Sequence, residues 1–128
     1  MRWTITRTGD ASRDEVWRRY VDLDAWAGWA PFITGVEAAG RELVPGLIGT
    51  VIGPGGVRVR FVVLSVDQAN RTWLWRAHWG PASLTLHHAV IERPTGGTIA
   101  VLKVVGSAPV VMAYLAPARW ALRSLVQP

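Results

Sequence analysis

Along the chain the spacing of apolar residues moves from two to about 3.6, back to two, and finally to 3.6 again. Met1 to Thr8 sets Trp3 and Ile5 against Thr4 and Thr6, the alternation of a strand with one buried face, and Gly9-Asp10 ends it. Ser12 with Glu15 forms a capping box that opens an amphipathic segment, SRDEVWRRYVDLDAWAGW, with Val16, Trp17 and Tyr20 as its apolar face. This helix is expected to break around Val21 to Leu23 and to resume as a short second helix carrying Trp26 and Trp29, which Pro31 stops. Ile33 to Ala39 and Gly46 to Gly53 read as two short strands between glycine and proline breaks.

From Val57 the alternation is sustained. Val57, Val59, Phe61 and Val63 oppose Arg58 and Arg60, and Asp67 to Asn70 turns the chain. Arg71 to Trp79 places Trp73, Trp75, Ala77 and Trp79 on one face and Leu74, Arg76 and His78 on the other; Gly80-Pro81 follows. Ala82 to Arg93 alternates Leu84, Leu86, His88 and Val90 with Ser83, Thr85 and His87, and Thr98 to Val105 is the last strand. Residues 109–127, PVVMAYLAPARWALRSLVQ, return to helical spacing: Val111, Leu115, Ala118, Leu122 and Leu125 make one stripe. Pro109 suits a first turn, and Arg119 and Arg123 complement the negative end of the helix dipole. Pro117 removes a hydrogen bond to the carbonyl of Ala113, so a kink is expected there. Before it the helix is apolar all round, which requires cover on several sides or an apolar space to line.

Composition changes the picture in three respects. A length of 128 residues, half of them apolar, suits one domain spanning 1–128 with a core of its own. The net charge of +5 rests on arginines scattered from Arg2 to Arg123, with Lys103 the only lysine; scatter speaks against a nucleic-acid partner, and with abundant Ala, Gly, Pro and Val it points to a GC-rich bacterial genome. Arg58, Arg60 and Arg76 form an outer basic patch, read as solvated charge, with phosphate or acidic-partner binding as the alternative of a different class. The absence of cysteine excludes disulfides, thiolate metal sites and thiol catalysis. No apolar run approaches the roughly 20 residues that span a bilayer, and the first residues carry no apolar signal core, so a cytoplasmic protein without membrane insertion is expected.

The order is a strand, two helices, about six antiparallel strands and one long helix. Sequential strands with short turns curve into an antiparallel sheet whose apolar concave face needs a partner, and the last helix is the one element long enough. The opening strand, SRDEVWRRYVDLDAWAGW, GLIGTV, NRTWLWRAHWG, LHHAVIERP and GGTIAV before the final helix resemble the SRPBCC or START-like superfamily and its polyketide cyclase/dehydratase-like members. The resemblance covers nearly all of the chain. It implies an α+β helix-grip (START-like, Bet v 1-like) fold, with a curved sheet of six to seven strands around the C-terminal helix. It also implies an apolar cavity for a hydrophobic small molecule, a place in secondary metabolism, and no cofactor. A homodimer is compatible with it.

Candidate chemistry follows from faces. His88 is the ionisable group that alternation places beside Leu84, Leu86 and Val90, where desolvation would lower its pKa and suit it to act as a general base; a packed core histidine is the plainer reading. Adjacent His87 points the other way, and no ligand spacing exists for a metal. Eight tryptophans is far above ordinary usage. Trp73, Trp75 and Trp79 are expected to line the cavity with Leu84, Leu86 and the Val111, Leu115 and Tyr114 side of the helix, whereas Trp3 and Trp17 are expected in the core. Trp26, Trp29 and Trp120 are placed near the cavity mouth; Tyr20, Asp22, Asp24 and Tyr114 are the candidate polar groups for its rim, but Asp22 and Asp24, two apart in the helix break, face different sides and are read as helix caps rather than a catalytic pair. The resulting expectation is binding of a planar or polyketide-like molecule and, narrowly ahead of a passive carrier, its cyclisation or dehydration, with His88 as acid-base group and Tyr114 or Tyr20 as donor to a carbonyl.

Overall fold

A computed structural model describes residues 1–128. Strand β1 (Arg2–Gly9) leads into α1 (Arg13–Val21), a 3-10 turn (Leu23–Ala25) and the short α2 (Trp26–Trp29). Strands β2 (Gly35–Ala38), β3 (Ile48–Ile52), β4 (Arg58–Asp67), β5 (Thr72–Trp79), β6 (Ala82–Glu92) and β7 (Thr98–Gly106) follow, and α3 (Ala108–Leu125) ends the chain. All seven strands form one antiparallel sheet in the order β1-β7-β6-β5-β4-β3-β2. Every neighbour is sequential except β1, which returns to close the β7 edge. The fold is the helix-grip arrangement. No helix is long and apolar enough to cross a membrane.

The helix pair forms because its break is satisfied from within. Ser12 caps α1 by accepting from the Glu15 amide, as its spacing requires. At the other end, the carbonyls of Arg19 and Tyr20 accept the indole N–H groups of Trp29 (3.0 Å) and Trp26 (2.9 Å), so the two tryptophans of α2 serve as C-terminal caps for α1. The amide of Leu43 takes the carbonyl of Val21.

Two departures from simple alternation have local causes. In β4 the pairing shifts between Val63 and Ser65, so Leu64 is an extra residue and Val66, rather than Ser65, lies opposite Trp73. Arg71, expected to open β5, instead sits at φ 55° in the turn that Asp67 stabilises by accepting from the Asn70 amide. From that position its guanidinium reaches Asp14 (2.9 Å) and lies over the Trp17 ring, which ties the β4–β5 turn to α1. Trp17 is buried as expected; Trp3, expected in the core, lies on the edge strand and is 42% exposed.

The stripe Val111, Leu115, Ala118, Leu122 and Leu125 of α3 is wholly buried, and the helix runs through Pro117 without interruption. It packs chiefly on β1, with further contacts to β7, β6 and α2. Its C-terminal end is pinned: the Ala11 amide donates to the Val126 carbonyl (3.1 Å), and Arg19 donates to the carbonyls of Leu125 and Gln127 (2.6 Å each) while held by Glu15 (2.8 Å). Gly9 lies directly beneath, and a Cβ there would run into the Val126 carbonyl oxygen and side chain. Because that carbonyl is itself held, it has little freedom to yield. Gly9→Ala is expected to cost about 1–3 kcal/mol of stability. Gly28→Ala, in open space within a helical turn, should be neutral or stabilising. Chemical denaturation of the two variants checks this, and equal midpoints would refute the pinning argument.

Candidate functional site

Because α3 leans toward the β1 edge, it leaves a space of about 430 Å³ against β5 and β6, bordered also by α2 and the segments after it and open to solvent at one side. The concave residues of β5 and β6, Trp73, Trp75, Leu84, Leu86 and His88, form one wall. Tyr114, Trp29 and Trp79 also border the space, with Trp79 at 63% exposure on its rim. Three expected members do not border it. Val111 and Leu115 belong to the stripe of α3 that seals against the sheet, and Tyr20 is packed behind the tryptophan wall. Trp120 is 60% exposed on α3 and is likewise not part of the lining. The helix lines the cavity through Val110, Tyr114, Pro117 and Ala121, each one residue before a member of the sealing stripe, together with Ala113 and the stripe's own Ala118 and Leu122. Trp26, Phe32 and Val57 join from the other side. The α3 members carry a readable signal, the same helical spacing offset by one; those in loops carry none.

The wall is itself part of a compact aromatic cluster. The His88 ring stacks on Trp73 (centroids 4.5 Å apart, 10° between planes), and Trp73 stacks on Trp75 (5.3 Å, 26°). Tyr20 meets Trp73 and His88 edge-on at 5.3 and 4.9 Å. Most indole donors here are satisfied by protein: Trp17 by Gln68, Trp26 and Trp29 by the α1 carbonyls, Trp75 by His88. The Nε1 of Trp73 is the single buried side-chain polar atom without a partner.

The two bonds of His88 define its tautomer. Trp75 can only donate, so His88 Nε2, 2.9 Å away, must accept. The neutral ring therefore carries its proton on Nδ1 and donates to the Tyr20 hydroxyl at 3.0 Å. Burial, and secondarily the neighbouring His87, lowers the pKa of His88 to about 3. Protonation would also turn Nε2 into a donor facing a donor. The group expected to be a general base is thus a neutral ring with both nitrogens engaged. Burial raises the Tyr20 hydroxyl well above its ordinary value, reinforced by Tyr114, and raises Tyr114 to about 12, so this cluster stays uncharged at neutral pH. On the outer face of the sheet Arg58 is held by Glu37 (2.7 Å), which lowers the pKa of that carboxyl.

A histidine with a lowered pKa makes stability fall with acid. Below about 6.5 the unfolded chain binds a proton that the folded chain refuses, so stability is full above that pH and is lost as pH falls toward 3. The folding constant should drop by up to about tenfold per pH unit in this window. His87, lowered by partial burial and then by Lys103, adds a shallower part. His88→Gln offers a carbonyl to Trp75 and an amide to Tyr20 and should remove the steep component between pH 6 and 4.5, above the range where Glu37 and Asp67 protonate. Urea denaturation at a series of pH values checks this; an unchanged slope in the variant would show that His88 is not held neutral.

Residues 2–127 match the family described as polyketide cyclase / dehydrase and lipid transport. No curated protein matches the sequence. Among solved structures, that of Ara h 8.0201 aligns with a TM-score of 0.78 at 12% identity, covering 98% of this chain and 94% of that one. A protein from Nitrosospira multiformis aligns with a TM-score of 0.82 at 15% identity, covering 98% and 94%. At such identities the likeness is one of fold.

Proposed function

The chain belongs to the polyketide cyclase / dehydrase and lipid transport family, and on that premise we propose that it binds an uncharged, flat, hydrophobic small molecule between the sheet and α3. The observation that carries this reading is the lining: no Asp, Glu, Lys or Arg borders the cavity. A carboxylate or ammonium taken wholly inside would lose its water without gaining a counter-ion, a cost of several kcal/mol that a neutral molecule avoids. Stacked Trp73 and Trp75 supply flat apolar area, and each face met by a ring adds about 1 kcal/mol beyond burial.

A second reading, cyclisation or dehydration of a polyketide-like chain, is favoured by Tyr114. Its phenol borders the cavity, and no protein group bonds to it. It is available to donate to a substrate carbonyl and make the carbonyl carbon more electrophilic, while the cavity walls hold the chain folded. His88 would then act by keeping Trp75 and Tyr20 in place rather than by moving a proton.

Titration with N-phenyl-1-naphthylamine, which is neutral and aromatic, should quench tryptophan emission and show saturable dye fluorescence. Competition by methyl 2-naphthoate should change little from pH 5 to 8, because the ester has no ionisable group and His88 and Tyr114 stay uncharged there. Competition by 2-naphthoic acid should weaken by about tenfold per unit above its own carboxyl pKa near 4. Equal competition by acid and ester at pH 8 would refute the uncharged-ligand reading. Turnover of a linear polyketide by the parent protein, lost in Tyr114→Phe with affinity retained, would establish the second reading; turnover kept in that variant would remove Tyr114 from it.

A further inference from the structure

Pro117 sits inside α3 and borders the cavity. Proline has no amide hydrogen, so the carbonyl of Ala113, one turn earlier, cannot receive the bond that every interior helical carbonyl otherwise receives. No loop amide and no side chain donates to it instead. Ala113 and Tyr114 both border the cavity with Pro117. The wall of α3 therefore carries, on consecutive residues, a backbone acceptor without its helical partner and a phenol that bonds to nothing in the protein. A helix that only had to seal an apolar core would be better served by alanine at 117, because an interior proline weakens a helix. The position has a use if the acceptor it frees is the feature required.

We propose that Pro117 makes the cavity selective for a ligand hydroxyl, which donates to the Ala113 carbonyl and accepts from the Tyr114 hydroxyl. The inference rests on the cavity-binding reading above and narrows it from any uncharged flat molecule to a hydroxylated one, such as a phenol or an alcohol carried on a ring system. A hydroxyl is the smallest group that is donor and acceptor at once. A ketone or ether engages Tyr114 alone, and a hydrocarbon engages neither. His78 and Ser83 also border the cavity but lie at the β5–β6 turn, on strands rather than on this helix. They stay unchanged in the test below.

The test measures displacement of N-phenyl-1-naphthylamine by naphthalene, 2-methoxynaphthalene and 2-naphthol at pH 7, where the naphthol is uncharged. The wild-type chain is compared with Pro117→Ala and Tyr114→Phe. In Pro117→Ala the new amide takes back the Ala113 carbonyl, so the preference for 2-naphthol over naphthalene should fall by about five- to tenfold, the worth of one neutral hydrogen bond. The preference for 2-methoxynaphthalene over naphthalene should not change, and the melting temperature should rise. Tyr114→Phe should lower both preferences. A merely structural role for Pro117 would move the melting temperature, or all three ligands together, and leave the naphthol preference where it was; that result would overturn the proposal while leaving cavity binding intact. If neither the dye nor naphthalene enters the wild-type chain, the binding reading itself fails, and the hydroxyl selectivity with it.

Discussion

The position of α3 is decided at its C-terminal end. Two helix-terminal carbonyls and that of Gln127 would be left without partners there, and they are met by the Ala11 amide and by an Arg19 guanidinium that Glu15 holds in place. Close approach of β1 is possible because residue 9 is glycine. With this end fixed over β1, the helix lies toward one side of the sheet. The curvature of β4, β5 and β6 then leaves a space that the helix does not fill. The cavity is thus a consequence of where the helix is held: the lining adds to the sealing residues Ala118 and Leu122 a row one residue earlier, Val110, Tyr114, Pro117 and Ala121.

What surrounds the space explains why it is tolerated. No carboxylate, ammonium or guanidinium faces it, and the polar groups of the aromatic wall are satisfied by one another or by the helix pair: indoles by helix-end carbonyls, Trp75 by His88, His88 by Tyr20. Each bond also fixes a ring plane, since an indole can donate only within its plane and an imidazole accepts along one lone pair. The aromatic wall is consequently a set of oriented rings rather than a loose filling. Burial, with His87 beside it, accounts for the weak basicity of His88, and an imidazole nitrogen that accepts from an indole has no free lone pair to offer a proton.

The net positive charge lies elsewhere. Five acidic residues are engaged by arginines at the surface, several of which join one element to another, as Arg41 does with Asp24 and Arg71 with Asp14. Exposed pairs of this kind add little to stability. Their effect on the cavity is that none of these charges borders it, so an apolar interior and a cationic exterior coexist in one small sheet-and-helix unit.

Periodicity was enough to find the strands, the capped helix pair and the sealing stripe of α3, because burial on one face leaves a repeat of two or 3.6 wherever it occurs. The inward faces of β5 and β6, with Trp73, Trp75, Leu84, Leu86 and His88, were legible for the same reason. The tertiary structure decided what periodicity leaves open. The tilt of a helix on a sheet separates sealing residues from lining residues, and so moved Val111 and Leu115 out of the cavity wall and brought Val110, Pro117 and Ala121 into it. Pairing across strands and helices selected the partners of His88, and thereby its tautomer. Neither Trp75, 13 residues before it, nor Tyr20, 68 residues before it, is marked in the sequence as its neighbour. A repeat along the chain records which face of an element is buried, and only the packing of elements determines what that face meets.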